Sequence, residues 1–216
     1  MSTTRGANPL GAYLVIVICA LTVLILKAKS RRSRIVYGVL ALGSIITLFL
    51  SYSRSAWIGA ALGVIIIIIL SIKSAKTRYW LAAALAALVI IIAAGALSLR
   101  HNISFENIFT HTQAHSAVKT TSDQGHASAL KSGLRDILHQ PLGRGPGTAG
   151  PASIYNNQPA RIAENYFVQI AQEVGWLGVV LLILIMCLVG KGLWLQRQNP
   201  LALALFAALI GITFVK

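Results

Sequence analysis

The chain has 216 residues, of which 56% are hydrophobic and only 11% are charged, with a formal net charge of +14. Soluble domains are about one quarter charged, so the composition excludes a water-soluble protein and predicts an all-α integral membrane protein. Ten of the nineteen Lys and Arg residues lie in three short loops between apolar runs. Membrane topology requires positive charge in such loops, so we expect no nucleic-acid partner despite the net charge.

Six apolar runs have the lengths expected of membrane-spanning helices, which need about 20 residues to cross the hydrocarbon core of a bilayer. The predicted spans are residues 11–26, 35–51, 55–72, 79–98, 166–190 and 200–215. Residues 1–98 therefore hold four predicted transmembrane helices, and residues 166–216 hold two. The polar segment 99–165 between them forms one long loop.

Basic residues mark the loops that remain in the cytoplasm. Five positive charges lie within residues 27–34 and three within residues 73–78, and the loop between the fifth and sixth spans carries two more. Six spans place all three loops on the cytoplasmic side if the amino terminus lies outside. The turn at residues 51–55 and the segment 99–165 then lie on the opposite, extracytoplasmic side.

The long loop contains one helical pattern, which we predict over residues 124–139. The apolar residues that recur on one face of this helix are Leu130, Leu134, Ile137 and Leu138. Pro141 ends the helix, because a proline disfavours the helical conformation in the residue before it. A glycine-rich turn follows, with the sequence PLGRGPGTAG over residues 141–150.

Arg54 lies in a turn between two apolar spans that is too short to extend far from the membrane. A guanidinium is always charged and forms forked hydrogen bonds with phosphate oxygens. Arg54 is therefore a candidate anchor for a lipid-linked phosphate. The alternative is an interfacial arginine whose side chain only extends to the lipid headgroups.

Glu164 opens the fifth predicted span and is followed by Asn165 and Tyr166. The helix dipole favours a carboxylate at a helix amino terminus, so Glu164 could serve simply as a helix cap. It could also act as a general base at the membrane surface. Further polar residues on the same helix are Gln169, Gln172 and Glu173. Their position indicates a site or a polar helix contact rather than exposure to lipid.

Other residues of the long loop are candidate phosphate ligands. Arg135, Arg144 and Arg161 could attract phosphate or acidic glycans, or could simply be solvated surface charges. Arg144 is the best candidate of the three, because we expect the glycines beside it to leave backbone N–H groups free for an anion. His126 lies near the start of the loop helix. His111 and His115 have a spacing that suits a metal on a helix, but no third ligand lies at a suitable spacing, so we predict no metal site.

Three stretches together resemble the O-antigen ligase/polymerase family of bacterial polysaccharide enzymes, within the membrane domain that its members share. They are SYSRSAWIG at residues 51–59, GHASALKSGLRDILHQPLGRGPGTAG at residues 125–150 and ENYFVQIAQEVGWLG at residues 164–178. The first resembles a Ser-Arg-Gly/Ser-Ala motif that opens a span. The second resembles a helix that runs into a Pro-Leu-Gly-x-Gly-x-Gly turn, and the third a His-Asn pair followed by Gly-x-x-Gly.

The resemblance implies a membrane glycosyltransferase that moves a saccharide from a polyprenyl-diphosphate carrier to a glycan, lipid or protein acceptor. It implies the bacterial inner membrane as the location, with the active face outside the cytoplasm. Arg54 would hold the diphosphate, together with His126, Arg144 or Arg161. No cofactor and no metal are implied if arginine supplies the positive charge.

The remaining implied roles fall at the start of the fifth span. Glu164 would accept a proton from the acceptor hydroxyl, and Asn165 and Tyr166 would contact the substrate. Two positions depart from the family pattern: Glu164 stands where the family usually has histidine, and His126 stands where it usually has arginine. A glutamate can still act as a base, and a protonated histidine can still contact phosphate.

Two other classes of protein remain open at this point. One is a non-catalytic or truncated membrane protein that only binds lipid-linked glycan. The other is a transporter, which is disfavoured because ionisable residues are absent from the middle of the predicted spans, where transporters hold their substrates and ions.

Overall fold

The computed structural model describes residues 7–72, 74, 76, 80, 122–155, 165–213 and 215. The described elements are all helices, which confirms the predicted all-α class. In chain order they are α1 (Ala7–Lys27), α2 (Arg31–Leu50), α3 (Arg54–Ser71), α4 (Ser122–His139), a 3-10 helix (Gly150–Tyr155), α5 (Tyr166–Leu195) and α6 (Pro200–Thr213).

Four of the described helices are long and apolar enough to cross a membrane: α1 from Pro9, α2, α3 and α5. Helix α6 is also apolar but has only 14 residues. The predicted span at residues 79–98 lies outside the described residues. The count of six spans therefore stays a prediction, whereas the assignment to the class of helical membrane proteins is confirmed.

The chain divides into two compact units. Residues 1–82 and 185–216 form the first unit, which contains α1, α2, α3, α6 and the end of α5. Residues 83–184 form the second unit, which contains α4, the 3-10 helix and most of α5.

Small residues allow the helices of the first unit to pack closely. The backbones of Gly59 in α3 and Gly211 in α6 touch, so that a Cβ atom on either glycine would overlap the carbonyl oxygen of the other. A Cβ atom on Gly63 would stand 2.5 Å from the Cys19 sulfur of α1, and one on Gly11 would stand 2.6 Å from the Ala56 Cβ. Close approach of this kind is what holds helices together in lipid, where apolar surface gains nothing by leaving the solvent.

These contacts also fix the directions of the helices. Residues 11 and 19 of α1 lie against residues 56 and 63 of α3, so α1 and α3 run parallel. Helix α6 runs antiparallel to both, because Gly211 lies beside Gly59 while Ala207 lies beside Gly63. Residues 27–34, the end of α3 and the start of α6 therefore share one end of the unit, which we call the basic end. The turn at residues 51–53 lies at the opposite end.

The outer surface of α2 shows why this unit needs a bilayer. The exposed apolar residues of α2 are Ile35, Val36, Val39, Leu40, Leu42, Ile45, Ile46, Phe49 and Leu50. Only Leu48 of this helix is buried. Water-soluble monomers rarely expose a continuous apolar patch larger than a few hundred Å², so this surface indicates contact with lipid.

Candidate functional site

Helix α5 is interrupted at Gly175, within the second unit. Gly175 has φ 78° and ψ −173°, a combination far from helical geometry that is essentially restricted to glycine. A break of this kind removes intrahelical partners from the carbonyl groups before it and from the N–H groups after it. In a membrane protein such groups must find other partners, because lipid offers none.

The glycine-rich turn supplies those partners. Arg144 N–H donates to the Gln172 carbonyl at 2.9 Å, and Gly145 N–H donates to the Glu173 carbonyl at 2.9 Å. In the other direction, Trp176 N–H donates to the Pro141 carbonyl at 3.0 Å. We call this arrangement, residues 141–145 against residues 172–176, the turn clasp. It explains physically why a Pro-Leu-Gly-x-Gly turn and a glycine in the following helix occur together.

Two glycines make the turn clasp sterically possible. Gly143 has φ 77°, and a Cβ atom there would stand 2.6 Å from both the Glu173 carbonyl oxygen and the Gly175 nitrogen. A Cβ atom on Gly175 would overlap the Pro141 carbonyl oxygen. The two backbones are therefore in direct contact, and neither position has room for a side chain.

The turn clasp overturns one detail of the sequence interpretation. We expected the glycines beside Arg144 to leave backbone N–H groups free for an anion. Instead the N–H groups of Gly143, Arg144 and Gly145 all donate to carbonyl groups, the first of them to Gln140 at 3.0 Å. The glycines are needed for close backbone packing, so an anion beside Arg144 would bind through the Arg144 side chain and not through these three N–H groups.

Helix α4 packs on α5 through only one residue of the predicted apolar face, Ile137, together with Gly133. Ile137 is buried against Val168 and Ala171. Gly133 lies so close to Val168 that a Cβ atom added to Gly133 would stand 2.6 Å from Val168 Cγ1. The three leucines of the predicted apolar face, Leu130, Leu134 and Leu138, are 45%, 47% and 74% exposed. The buried stripe is centred on a glycine, which carries no hydrophobic signal, and so the leucines dominated the sequence pattern.

A polar contact accompanies this packing. Gln172 is 6% exposed, and its Nε2 donates to Asp136 Oδ2 at 3.2 Å. This orientation of the amide is the favourable one, because a flipped amide would place its oxygen against the carboxylate. It leaves Gln172 Oε1 buried, with no hydrogen-bond partner among the described residues.

The Arg144 side chain is half-buried, and its Nε is also buried without a hydrogen-bond partner in the described part of the chain. An unpaired buried donor on a charged group is costly. Because the turn clasp fixes the Arg144 backbone, it also fixes the position of the Arg144 Cβ atom. The arrangement leaves the guanidinium able to donate hydrogen bonds to an anionic group.

Asn165 and Tyr166 stand at the start of α5. The Asn165 side-chain oxygen accepts a hydrogen bond from Phe167 N–H at 2.9 Å, and its backbone carbonyl accepts one from Gln169 N–H. Asn165 is therefore the helix cap, a role that the sequence interpretation had offered to Glu164. Tyr166 is 57% exposed.

The polar residues of the first part of α5 form a short chain. Gln169 Nε2 donates to Glu173 Oε1 at 3.3 Å. A Cβ atom on Gly150, which has φ 68°, would stand 2.5 Å from Gln169 Nε2. The start of the 3-10 helix thus packs directly on this polar face, which agrees with the expectation that Gln169, Gln172 and Glu173 make polar contacts instead of facing lipid.

Arg54 belongs to the first unit, where it is the first residue of α3 and half-buried. The preceding turn is rigid: Trp57 Nε1 donates to the Leu48 carbonyl at 2.8 Å, and the Trp57 ring stacks on Phe49 with centroids 5.2 Å apart. A cation at a helix amino terminus is disfavoured by the helix dipole. The dipole of α3 therefore does not favour an arginine at this position.

Three predicted site residues are not tested by this geometry. Glu164 and Arg161 lie outside the described residues. His126 lies within α4, but its side chain is outside the part of the chain that the structure describes. Of the remaining predicted site residues, Arg144, Asn165 and Tyr166 belong to the second unit and Arg54 belongs to the first.

Sequence reasoning missed Asp136 and the pairing of Gly143 with Gly175. Asp136 could have been noticed as the acidic residue beside Ile137 near the end of an otherwise apolar pattern. The glycine pairing had no such signal, because it depends on a contact between residues 32 positions apart.

These features define an all-helical integral membrane protein with a broken, glycine-clasped helix beside a polar loop. The family model described as O-antigen ligase matches residues 39–183, about two thirds of the chain. The chain therefore belongs to the O-antigen ligase family, as the three sequence stretches had indicated. Neither the curated proteins nor the solved structures include a match to it.

Proposed function

We propose that this protein transfers a saccharide from a polyprenyl-diphosphate carrier to a glycan, lipid or protein acceptor. The reaction would take place at the extracytoplasmic face of the bacterial inner membrane. Membership of the O-antigen ligase family supports the involvement of a lipid-linked glycan and a bilayer. The observation that carries the proposal is Arg144, whose backbone is held by the turn clasp while its buried Nε has no hydrogen-bond partner in the described part of the chain.

Arg144 suits a diphosphate better than a neutral ligand. A guanidinium forms parallel, charge-assisted hydrogen bonds to two oxygens of one phosphate group. Holding the backbone in advance lowers the ordering cost at the moment of binding. His126 and Arg161 are further candidate contacts to the phosphates, and Arg54 stays the candidate phosphate anchor that the sequence predicted.

The transfer itself requires a base and a leaving group. Glu164 would accept the proton of the acceptor hydroxyl while that oxygen attacks the anomeric carbon of the donor sugar. The bond between the anomeric carbon and the diphosphate oxygen breaks, and its electron pair stays on the phosphate. Arginine stabilises the negative charge that grows there. Tyr166 and the Asn165 amide group would contact the sugars, and the reaction written in this way uses no cofactor.

The proposal is tested by measuring donor binding and saccharide transfer separately, in proteoliposomes that contain a polyprenyl-diphosphate-linked saccharide. Glu164→Gln should lower transfer by about 10²- to 10⁴-fold, the usual contribution of a general base, and leave donor binding unchanged. Arg144→Lys should weaken donor binding by about tenfold or more, because lysine lacks the fork that pairs with phosphate oxygens.

Arg135→Lys is the matched control for Arg144→Lys, because Arg135 is an exposed arginine on α4 of the same unit. It should change neither measurement. Donor binding without transfer in the unmodified protein would point to the non-catalytic glycan-binding alternative. Movement of the intact donor across the bilayer without transfer would point to a transporter.

A further inference from the structure

The two units differ completely in their acidic residues. All five Asp and Glu residues of the chain lie within residues 83–184, the second unit. The first unit holds 13 of the 19 Lys and Arg residues and not a single carboxylate side chain. No cation of the first unit can therefore form a salt bridge to a side chain within its own unit.

Five of these positive charges lie close together at the basic end. Lys27 ends α1, Lys29 lies in the connection, and Arg31, Arg32 and Arg34 occupy the first turn of α2, where all five residues are exposed. The connection is short, and the Arg34 guanidinium folds back to donate to the Ala28 carbonyl at 3.3 Å. Five positive charges thus lie within eight consecutive residues at this end of the unit.

The turn between α5 and α6 adds to the same end. Arg197 lies over the Trp194 ring, 4.6 Å from its centroid, and donates to the Trp194 carbonyl at 3.1 Å. Trp194 in turn contacts Phe206 of α6, with ring centroids 5.3 Å apart. A tryptophan beside a cation is the arrangement typical of the level of lipid headgroups.

Repulsion within such a group of cations has to be offset by anions from outside the unit. Free ions screen mainly those charge interactions that extend beyond about 8 Å at physiological ionic strength, and they carry no apolar part. The side chains next to the cations are apolar and exposed: Leu26 at 48%, Ile35 at 56% and Val36 at 54%. A ligand that complements both the cations and the exposed apolar side chains has a negatively charged headgroup and hydrocarbon chains.

We propose that the basic end is a binding surface for anionic phospholipids, whose phosphate groups contact the cations of residues 27–34 while their acyl chains lie along α1 and α2. These cations take no part in the proposed saccharide transfer, so the inference does not depend on the proposed function. Attraction of this kind contributes about 1 kcal/mol for each cation near an anionic surface.

The test is a lipid titration of the purified full-length protein in a neutral detergent, followed by native mass spectrometry. In micelles the orientation of the protein in a membrane is irrelevant, so an effect of the charges on topology cannot interfere. Phosphatidylglycerol should bind more tightly than phosphatidylcholine with the same acyl chains. The variant R31Q/R32Q should weaken phosphatidylglycerol binding by about fivefold for each charge removed, the equivalent of about 1 kcal/mol each, and leave phosphatidylcholine binding unchanged.

Two control variants locate and explain the effect. R31K/R32K keeps the charge and should retain phosphatidylglycerol binding, whereas K131Q/R135Q removes two exposed charges from α4 of the second unit and should have little effect. The proposal is overturned if the two lipids bind equally well, or if R31Q/R32Q binds phosphatidylglycerol as the unmodified protein does. It is also overturned if R31K/R32K or K131Q/R135Q loses as much binding as R31Q/R32Q.

Discussion

Gly175 shows how one residue can decide the shape of a membrane helix. Its φ of 78° and ψ of −173° lie in a region that is open to glycine alone. The remaining residues around it favour a continuous helix, as the apolar run of α5 indicates. The local sequence therefore does not favour the break; the hydrogen bonds from the glycine-rich turn stabilise it.

Gly175→Ala should destabilise the protein. Alanine at this conformation costs about 1–3 kcal/mol in backbone strain, and its Cβ would in addition overlap the Pro141 carbonyl oxygen. The measurement is the free energy of unfolding in detergent. Gly192→Ala is the control, since Gly192 lies in the regular part of the same helix and a Cβ added there would have nothing within 4 Å. It should stabilise the protein by about 0.5–1 kcal/mol, the penalty for glycine in a helix. Equal effects of the two variants would contradict this account of Gly175.

At the level of elements, the turn clasp joins a loop to a helix by main-chain hydrogen bonds alone. Its three bonds involve the N–H groups of Arg144, Gly145 and Trp176. Side chains can vary in such an arrangement without breaking it, whereas the backbone path cannot. The turn clasp therefore fixes the position of the Arg144 backbone, whatever the guanidinium of this residue binds.

Two glycines of the turn allow backbone strain to be separated from steric overlap. Gly143 and Gly145 both have positive φ, 77° and 99°, so alanine is strained at either position by about 1–3 kcal/mol. Only at Gly143 would the added Cβ also meet the α5 backbone, because nothing lies within 4 Å of one at Gly145. Gly143→Ala should therefore open the clasp much more than Gly145→Ala.

Amide hydrogen exchange measures this opening directly. The amides of Arg144, Gly145 and Trp176 should exchange slowly in the unmodified protein and considerably faster in Gly143→Ala than in Gly145→Ala. Amides in the middle of α3 serve as the internal reference, because they belong to the first unit. Similar exchange in the two variants would mean that strain, and not contact with α5, makes Gly143 necessary.

The sequence predicted some of these elements well and others not at all, for identifiable physical reasons. The length of apolar runs is a direct consequence of bilayer thickness, and so the helical membrane class followed from composition. The burial of α4 did not follow, because a packed helix in this unit turns Gly133 inward and leaves Leu130 and Leu134 exposed. The buried stripe contains a glycine, and glycine gives no hydrophobic signal in the sequence.

The site could be predicted only in part. Arg144 and the polar face of α5 were identifiable because ionisable and amide groups are costly near hydrocarbon. The hydrogen bonds of the turn N–H groups could not be predicted, because a glycine-rich stretch is compatible both with free N–H groups and with close backbone packing. Only the position of the break at Gly175 decides between them, and that break is a tertiary contact without a local signal.

At the level of the whole molecule, the charge pattern and the helix directions support the same topology. Positive loops remain in the cytoplasm, and the contacts within the first unit place residues 27–34 at the end opposite to the turn at residues 51–53. Arg54 follows that turn directly. The proposed chemistry requires Arg54 to face the extracytoplasmic side, where the lipid-linked donor is presented.

Cysteine labelling in right-side-out membrane vesicles tests this topology. The native cysteines, Cys19 and Cys187, are first replaced by serine, and single cysteines are then introduced as Tyr52→Cys or Lys29→Cys, both at exposed positions. A membrane-impermeant maleimide should modify Tyr52→Cys in sealed vesicles, because that turn faces outward. It should modify Lys29→Cys only after the vesicles are opened with detergent, since the reagent cannot cross the hydrocarbon core. Labelling of both positions from the outside would mean that α2 does not cross the bilayer. Labelling of Lys29→Cys alone would reverse the orientation and place Arg54 in the cytoplasm, away from the donor that the proposed reaction needs.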